Sequence, residues 1–433
     1  MRTQFKQMLA TGNVFVWGCA AGVSLSLLMV FGLLLLIMIN GLGYFWISDI
    51  VDLTLKDGQH VMGQLAGREV IPRTITPDRP EGKSRVRVKI GNRDLSGLDF
   101  KWVNDDQIVS QAYPADVVLL ERREWGNMYA RIQAVYSREK LLAEGNEAGW
   151  AALGPLISSA DDLHRQIKQI EQFEIGAINA DIERLRLKIR AIEIEHPTSP
   201  VSSEIKAQVA DAETRYREKT AELETLRARF DEYSVVMVDA NGREKQIAVG
   251  QIVRAVRPNE MGVWQKSWIY LANVWAALST EPREANTEGG IFPAIFGTVL
   301  MVMIMSLAVV PFGVLAALYL REYARQGAMV RLVRIAVNNL AGVPSIVFGV
   351  FGLGFFIYAI GGTLDTLFFP ERLPTPTFGT GGILWASLTL ALLTVPVVIV
   401  STEEGLAAVP REFREGSLAL GATKLETMLK VVI

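Results

Sequence analysis

Hydrophobic and charged positions alternate in long blocks along this chain. Four stretches contain no Asp, Glu, Lys or Arg, namely Gln7–Ser48, Gly289–Leu320, Ile335–Leu364 and Leu373–Thr402. Each contains an apolar run near or above the roughly 20 residues that cross a hydrocarbon layer of about 30 Å. The pattern therefore predicts four transmembrane helices, over Val14–Ile39, Ile291–Leu320, Ile335–Ile360 and Ile383–Val400. The first run is much longer than the roughly 7–15 apolar residues of a cleaved signal peptide, which favours a retained helix.

The composition narrows the class of protein. The chain has 433 residues, 44 basic and 46 acidic, a net charge of −2, and a mean hydropathy of +0.24. The near balance of charge argues against a nucleic-acid-binding protein, and the apolar blocks exclude an ordinary cytosolic globule. The single cysteine, Cys19, lies inside the first predicted helix, so this chain forms neither an intrachain disulfide nor a cysteine metal site.

No catalytic constellation stands out in the sequence. The phosphate-binding loop Gly-x-x-x-x-Gly-Lys-Ser/Thr, the His-x-x-x-His metal pattern and the Gly-x-Ser-x-Gly elbow do not occur. The histidines His60, His164 and His196 are far apart along the chain. We therefore expect no catalytic residue, no metal site and no bound cofactor, and we interpret the chain as something other than an enzyme.

Charged residues near the helix ends set the expected orientation. Arg2 and Lys6 precede the first helix and Asp49 follows it, so the N-terminus is expected in the cytoplasm and residues 41–290 outside. The segments after the second and fourth helices are basic and are expected in the cytoplasm. Their basic residues are Arg321, Arg325, Arg331 and Arg334 in the first, and Arg411, Arg414, Lys424 and Lys430 in the second.

Two parts of the external insert have a β pattern. Residues 49–160 contain short runs of alternating apolar and polar positions, such as Arg85–Ile90 and Asp116–Leu120, which predicts a β-rich domain. Residues 233–288 return to this pattern, and Asn241-Gly242 favours a tight hairpin turn. We expect the later strands to complete the domain that the earlier ones begin.

Between these parts, residues 161–232 have a helical period. Apolar positions recur at heptad spacing on both sides of His196–Pro200, which is rich in proline. The pattern predicts an antiparallel coiled-coil hairpin with arms of roughly 50 Å. Its ordinary interpretation is a spacer or docking arm without chemistry.

The segment after the fourth helix, Ser401–Ile433, is amphipathic and broken in two. The Ser/Thr-x-x-Glu spacing that caps a helix start occurs at Ser401–Glu404 and again at Thr423–Glu426. Between them Gly421 permits a sharp bend because it has no Cβ. The pattern predicts a surface helix, a bend and a second helix that exposes Leu425, Met428, Leu429 and Val432. A helix that merely lies on lipid is the alternative interpretation.

This bend resembles the cytoplasmic loop of ABC importer permeases, whose pattern is Glu-Ala-Ala-x3-Gly-x9-Ile-x-Leu-Pro. Here Glu415-Gly416-Ser417 precedes Gly421 and, nine residues later, Val431–Ile433. Further stretches are similar to phosphate ABC transporter permease subunits of the PstA type, namely Gly342–Gly349, Val409–Gly416 and Ala419–Ala422. The resemblance covers roughly residues 285–433, and the insert resembles that of long-form members only in size and position.

The resemblance implies a mainly α fold. It is that of a polytopic membrane protein of the ABC importer permease type, with a β-rich and coiled-coil-hairpin periplasmic insert. Six transmembrane helices are implied, of which this chain supplies four, so we expect a truncated chain. The expected domains are the N-terminal segment with helix 1 (1–48), the periplasmic β-rich domain (49–160), the coiled-coil hairpin (161–232), the return to the β domain (233–288) and the permease core (289–433).

The implied function is that of an inner-membrane permease subunit of an ATP-driven importer for inorganic phosphate. ATP would be bound and hydrolysed on a partner subunit. The implied partners are a second permease subunit, a cytoplasmic ATPase dimer, a periplasmic phosphate-binding protein and membrane lipid, with no nucleic acid. The implied location is the bacterial inner membrane, with several spans, a cytoplasmic N-terminus and a periplasmic insert. The residues implied to couple with the ATPase are Arg411, Glu415, Gly416, Ser417 and Gly421.

Two prolines indicate candidates for the translocation path. Pro344 and Pro396 are expected to interrupt helices 3 and 4 and so to leave backbone groups without their usual partners. Freed N–H groups near Ser345 and Thr394 suit an anion, as helix termini do in transporters. A packing kink is the alternative interpretation of both prolines.

Two other classes of protein share part of this pattern. Periplasmic adaptors also combine one N-terminal helix, a β domain and a coiled-coil hairpin, but helices 2–4 argue against that class. A membrane sensor with an external coiled-coil domain requires a cytoplasmic signalling domain, which these residues do not provide.

Overall fold

The computed structural model describes residues 13–70, 84–197, 202–283 and 288–432. The chain divides into two compact units, which are Met1–Ile175 with Glu218–Phe292, and Gly176–Arg217 with Pro293–Ile433. Arg2 and Lys6, on which the predicted orientation partly depends, lie outside the described residues.

Most of the described residues are helical. The α-helices are α1 (Asn13–Gly43), α2 (Arg93–Ser96), α3 (Asn146–Gln169), α4 (Ile175–Glu195), α5 (Ser203–Phe230), α6 (Val263–Ser279), α7 (Phe292–Leu318), α8 (Ala328–Leu340), α9 (Ser345–Gly352), α10 (Gly362–Phe368), α11 (Ile383–Ala408), α12 (Arg411–Ala419) and α13 (Lys424–Thr427). Wider π turns continue α3, α7, α9 and α13 over Ile170–Glu174, Tyr319–Tyr323, Leu353–Gly361 and Met428–Val432.

The strands belong to the first unit. They are β1 (Ile50–Leu55), β2 (His60–Val70), β3 (Ser84–Lys89), β4 (Phe100–Asn104), β5 (Ile108–Ala112), β6 (Val118–Arg122), β7 (Met128–Ser137), β8 (Lys140–Glu144), β9 (Tyr233–Val238), β10 (Glu244–Ala248), β11 (Ile252–Val256), β12 (Pro282–Arg283) and β13 (Glu288–Gly289).

Four helical segments among the described residues are long and apolar enough to cross a membrane. They are Phe15–Gly43, Phe292–Tyr323, Ser345–Phe368 and Ile383–Ala408. Their number agrees with the four helices predicted from the charge-free blocks, because length and apolar composition are sufficient to mark a span.

The third span begins later than predicted. The sequence predicts one helix over Ile335–Ile360, but α8 ends at Leu340 and the span begins at Ser345. Proline disfavours helical backbone in the residue before it and has no N–H to donate, so it stands easily at a helix start. Pro344 is the N-cap of α9, with ψ of 137°. The predicted helix is therefore broken at Pro344, but this proline stands at the start of the span and not within it.

Two antiparallel sheets form the β part of the first unit. Their strand orders are β4-β3-β2-β1-β5 and β10-β9-β7-β6-β11. Strand β8 belongs to the second sheet and pairs with the C-terminal residues of β7. The strands before and after the helical hairpin thus share the second sheet, because β9 pairs with β7. A buried cluster that includes Ile50, Met62, Leu119 and Tyr129 joins the two sheets.

Helix α3 covers the second sheet and begins at Asn146, within the stretch predicted to be β-rich. Leu153 is fully buried against the sheet. Gly149 allows this close approach, since a Cβ there would collide with the side chain of Ile132. Residues 146–160 are therefore a helix that packs on the sheet, although the sequence predicts a β-rich stretch there.

The β9–β10 turn is one residue longer than the tight turn predicted at Asn241-Gly242. The Gly242 N–H donates to the Asp239 carbonyl at 3.2 Å, and the Asp239 N–H donates to the Arg243 carbonyl at 3.0 Å. Gly242 has φ of 79°, in the left-handed region. A three-residue loop that ends in a left-handed glycine has this arrangement.

The two arms of the helical hairpin meet along an apolar seam. Ile167, Ile170, Leu223 and Leu226 are buried together near its base. Ile178, Ile182 and Ala212 form a second cluster farther along. Ion pairs flank the seam, with Glu174–Lys219 at 2.7 Å and Glu171–Arg227 at 2.6 Å. The predicted proline-rich turn lies mostly at residues 198–201, outside the described residues.

In the second unit, α7, α8 and α11 pack on one another. Ala317, Leu320, Val330 and Ile399 are buried in their common core. Gly313 permits close packing of α7 on α11, because a Cβ there would lie 2.6 Å from Cγ1 of Val398. This packing fixes the C-terminal ends of α7 and α11. The segment that follows α11 is attached to both ends.

Candidate functional site

A helix–turn–helix follows the last membrane-length helix. Helix α12 covers Arg411–Ala419, and α13 begins at Lys424. The predicted cap at Ser401 is wrong, because α11 continues without a break to Ala408. Neither Val400 nor Thr402 interrupts that helix, so no free helix start exists for Ser401 to cap.

The turn between the helices is a Schellman motif. The Ala422 N–H donates to the Ser417 carbonyl at 3.2 Å, and the Gly421 N–H donates to the Leu418 carbonyl at 3.0 Å. Gly421 has φ of 89°, which side chains with a Cβ rarely adopt. No atom lies within 4 Å of the position of a Cβ at Gly421. The requirement for glycine therefore comes from the backbone and not from crowding.

The second helix starts with the capping box that the sequence predicts at Thr423. The Thr423 N–H donates to Oε2 of Glu426 at 2.8 Å, and the Glu426 N–H donates to the Thr423 hydroxyl at 3.3 Å. Bonds from the N–H and the hydroxyl of Thr423 hold the pKa of Glu426 below its usual value. A carboxylate is therefore present here throughout the neutral range, and the cap does not depend on pH there.

A polar contact braces the two helices. The hydroxyls of Ser417 and Thr427 are 3.0 Å apart. Thr427 is 1% exposed and Met428 2% exposed, so this side of the second helix faces α12 and not solvent. The prediction that Met428 is exposed is wrong, whereas Leu425 and Leu429 are exposed as predicted.

Charged side chains hold the helix–turn–helix against the end of α7. A guanidinium N–H of Arg414 donates to the Glu322 carboxylate, and another donates to the Leu406 carbonyl. The Lys424 ammonium donates to the Glu322 carbonyl and lies 4.8 Å from the centre of the Tyr323 ring. The Glu322 and Arg414 side chains are only 13% and 17% exposed. Cations at the C-terminal end of a helix satisfy its unpaired carbonyls, which explains the choice of Arg and Lys.

A second ion pair ties α8 and α11 together nearby. Arg334 and Glu403 lie 3.3 Å apart, and Arg321 donates to the Glu403 carbonyl at 3.0 Å. Charge-assisted hydrogen bonds, which are stronger than neutral ones, therefore join the ends of α7 and α11 and the helix–turn–helix. The Arg334–Glu403 ion pair adds α8 to this group.

The helix–turn–helix exposes five large apolar side chains. Leu420, at the turn, is 90% exposed. The other four are Phe413, Leu418, Leu425 and Leu429, each between 48% and 63% exposed. We call these five residues the outer apolar face.

The five residues predicted to couple with an ATPase lie together in this segment. Arg411, Glu415 and Gly416 are exposed on α12, whereas Ser417 faces the second helix and Gly421 forms the turn. The sequence interpretation missed Glu322 and Leu420. Leu420 stands beside the turn glycine, and its side chain is 90% exposed among the described residues.

The predicted translocation candidates have separate local roles. Ser345 is the first residue of α9, directly after Pro344. The Thr394 hydroxyl donates within its own helix, 3.0 Å from the carbonyls of Leu390 and Ala391. Helix α11 continues through Pro396, so the prediction that this proline interrupts the helix is wrong.

The sequence did not indicate a role for Asp365, which lies at the C-terminal end of the third span. Asp365 is fully buried and accepts the N–H groups of Phe378 and Gly379, the latter at 2.6 Å. The Trp385 indole N–H donates to the Phe378 carbonyl at 2.7 Å. Asp365 therefore anchors the connection between α10 and α11, which accounts for its burial.

Comparison with known proteins relates the second unit to transport proteins. Residues 309–433 match the family model described as "Binding-protein-dependent transport system inner membrane component". The chain is 32% identical over 174 residues to the phosphate transport system permease protein PstA 1 of Mycobacterium tuberculosis, covering 38% of this chain and 51% of the relative. It is 38% identical over 144 residues to PstA of Mycobacterium leprae, covering 33% and 41%.

A third relative comes from Methanocaldococcus jannaschii. The chain is 31% identical over 146 residues to the probable phosphate transport system permease protein PstA of Methanocaldococcus jannaschii, covering 34% of this chain and 45% of the relative. The chain thus spans about half the length of the curated relatives that it matches.

Proposed function

Because residues 309–433 match the family model for binding-protein-dependent transport system inner membrane components, we propose that the protein is a permease subunit of an ATP-driven phosphate importer. The substrate is proposed from the named relatives, which are phosphate transport permeases of the PstA type. In this proposal the chain is a transport subunit and not an enzyme. ATP binds and is hydrolysed on a cytoplasmic ATPase.

The outer apolar face is the observation that best supports coupling to an ATPase. An amphipathic helix that inserts its apolar side chains into a groove is a common mode of protein recognition. Leu420 projects from the turn at 90% exposure, and the other four residues are exposed on the two helices beside it. In the proposed complex, Arg411 and Glu415 pair with charges at the rim of the groove, where they set orientation more than affinity.

In this proposal, the charged contacts of the helix–turn–helix transmit movement of the ATPase to the membrane helices. Arg414 joins α12 to Glu322 at the end of α7 and to the Leu406 carbonyl of α11. A displacement of the helix–turn–helix by nucleotide-driven closure of the ATPase would therefore pull on two membrane helices at once. Rigid elements that share such contacts move together, as in other hinge and shear transitions.

The remaining parts of the proposal concern location and partners. We place the chain in the bacterial inner membrane, with its N-terminus in the cytoplasm and residues 41–290 in the periplasm. The basic residues after α7 and after α11 support this orientation. The proposed partners are a second permease subunit, a cytoplasmic ATPase dimer and a periplasmic phosphate-binding protein. The family match over helices α7 to α13 favours this function over a periplasmic adaptor or a sensor.

Deletion of the gene is expected to remove high-affinity phosphate uptake. The experiment compares a deletion strain with one that carries the full-length gene and measures the initial rate of radioactive phosphate uptake at low phosphate concentration. Uptake should be lost and then restored, while sulfate uptake, measured as the control, stays unchanged. Equal phosphate uptake in both strains would contradict the proposed function, and a selective loss of sulfate uptake would contradict the proposed substrate.

A further inference from the structure

Helix α6 carries an exposed stripe of tryptophan and leucine. Trp264, Trp268 and Trp275 are 90%, 75% and 70% exposed, and Leu271 and Leu278 are 59% and 48% exposed. Their spacing of four and three residues places them on one side of the helix. We call these five residues the α6 stripe. The stripe contains no charged residue, although it belongs to the part of the chain that carries most of the charge.

The opposite side of α6 is polar and held in place. The Lys266 ammonium is paired with the Asp49 carboxylate. The Asn273 side-chain amide donates to the Phe45 carbonyl at 3.1 Å, and its oxygen accepts from Arg254 at 2.7 Å. Because these contacts fix the rotation of the helix, the stripe is forced outward. An apolar stripe of this size on a protein surface marks a place that a membrane or another molecule covers.

The contacts also fix where the stripe lies. Phe45 and Asp49 follow α1, whose last residue is Gly43, so the polar side of α6 is attached to the exit of the first membrane span. The Trp46 ring packs on Tyr270 of α6, with the ring centres 6.0 Å apart. Only residues 280–291 separate α6 from the next span, which begins at Phe292. Helix α6 is therefore anchored beside one membrane span and leads directly to another.

We propose that the α6 stripe lies in the lipid interface at the level where α1 leaves the membrane. Tryptophan and tyrosine are enriched at this level of a bilayer, because each combines an apolar ring with a polar group. An amphipathic helix at the interface buries its apolar side by about 5–10 Å among headgroups and acyl chains. Burial of three indole rings by lipid would hold the β domain at a fixed height above the membrane.

The choice of lipid as the occupant follows from continuity with α1. The side chains described in α1 are exposed along the whole apolar helix, which is the surface that a membrane covers. Tyr44 and Trp46, at 73% and 41% exposure, continue this surface beyond Gly43, and Trp46 contacts α6 through Tyr270. The inference depends on the membrane location of α1 and α7 and not on the identity of the transported solute.

Spin labels test this proposal in the full-length protein. In a Cys19→Ala background, single cysteines replace Trp268, Leu271 or Trp275, and Val109→Cys is the control. Val109 is a comparably exposed apolar residue, at 64%, on strand β5. The purified protein is reconstituted without other proteins into vesicles of phosphatidylethanolamine and phosphatidylglycerol. Collisions of the label with oxygen, which concentrates in lipid, are compared with collisions with a water-soluble nickel complex.

The expected result is a severalfold higher ratio of oxygen to nickel collisions at positions 268, 271 and 275 than at 109. Equal ratios at all four positions would show that the stripe faces water and would overturn the proposal. Labels shielded from both reagents would show a second protein copy on the stripe, which also overturns it. The three positions are substituted separately, so failure of one variant to fold does not remove the test.

Discussion

Replacing Gly421 with valine is expected to abolish most phosphate uptake while the protein remains in the membrane. Gly421 has φ of 89°, and a β-branched residue in this region is strained by about 1–3 kcal/mol. The chain would relieve the strain by opening the Schellman turn and so displace Leu420 from the outer apolar face. The measurements are phosphate uptake and recovery of the ATPase with the purified permease.

Gly405→Val is the matched control for this variant. Gly405 is also exposed and has no atom within 4 Å of a Cβ position, but it lies in the regular helix α11. A valine there meets neither strain nor crowding, so uptake should stay near that of the unchanged protein. If Gly421→Val transports phosphate and retains the ATPase as well as this control, the turn has no part in coupling.

Reversing the charge of either Glu322 or Arg414 is expected to reduce uptake strongly, and reversing both is expected to restore part of it. The two side chains are joined by a charge-assisted hydrogen bond in a largely buried position. Loss of such a bond costs about 1.5–3 kcal/mol, and roughly 1.4 kcal/mol corresponds to a factor of ten in an equilibrium. Glu322→Arg and Arg414→Glu should each therefore detach α12 from α7.

The double variant serves as the control for these two reversals. It places Arg at position 322 and Glu at position 414, so the pair can form again, although the bond to the Leu406 carbonyl is lost. Uptake should therefore exceed that of either single variant without reaching the original level. Single variants with full uptake, or a double variant no better than the singles, would show that this pair does not transmit the motion.

The sequence predicts the membrane helices well because their signal is local. A charge-free apolar block is sufficient to mark a span, whatever it packs against. The end of a block is less informative, since apolar residues also occur in surface helices. Ile335 belongs to α8 and not to the span that starts at Ser345, and only the geometry of Pro344 decides this.

Identical cap spacings have different outcomes in this chain. Thr423 follows a left-handed glycine that has already ended α12, so a new helix start exists for it to cap. Ser401 has the same spacing to Glu404 but follows an unbroken apolar helix. A capping residue satisfies free N–H groups and does not by itself create them. The difference therefore depends on what precedes the motif.

A single sequence does not predict the contacts that anchor the helix–turn–helix. Glu322 and Arg414 are separated by 92 positions, and nothing in either neighbourhood indicates the other. Their pairing follows from the packing of α7 on α11, which Gly313 permits. Met428 likewise has the spacing of an exposed residue but is buried by contact of α13 with α12. Tertiary packing decides both cases.

In the proposed complex, the outer apolar face binds a cytoplasmic ATPase. Leu420 offers the most direct test, because it is 90% exposed and its replacement leaves the internal contacts intact. A cysteine at position 420 of the full-length protein, in a Cys19→Ala background, carries a photoreactive label in membranes that contain the whole importer. Illumination is expected to produce a covalent adduct of permease and ATPase. Labelled lipid as the sole product, with no ATPase adduct, would show that the outer apolar face does not bind the ATPase. This segment would then be a helix that lies on the membrane surface.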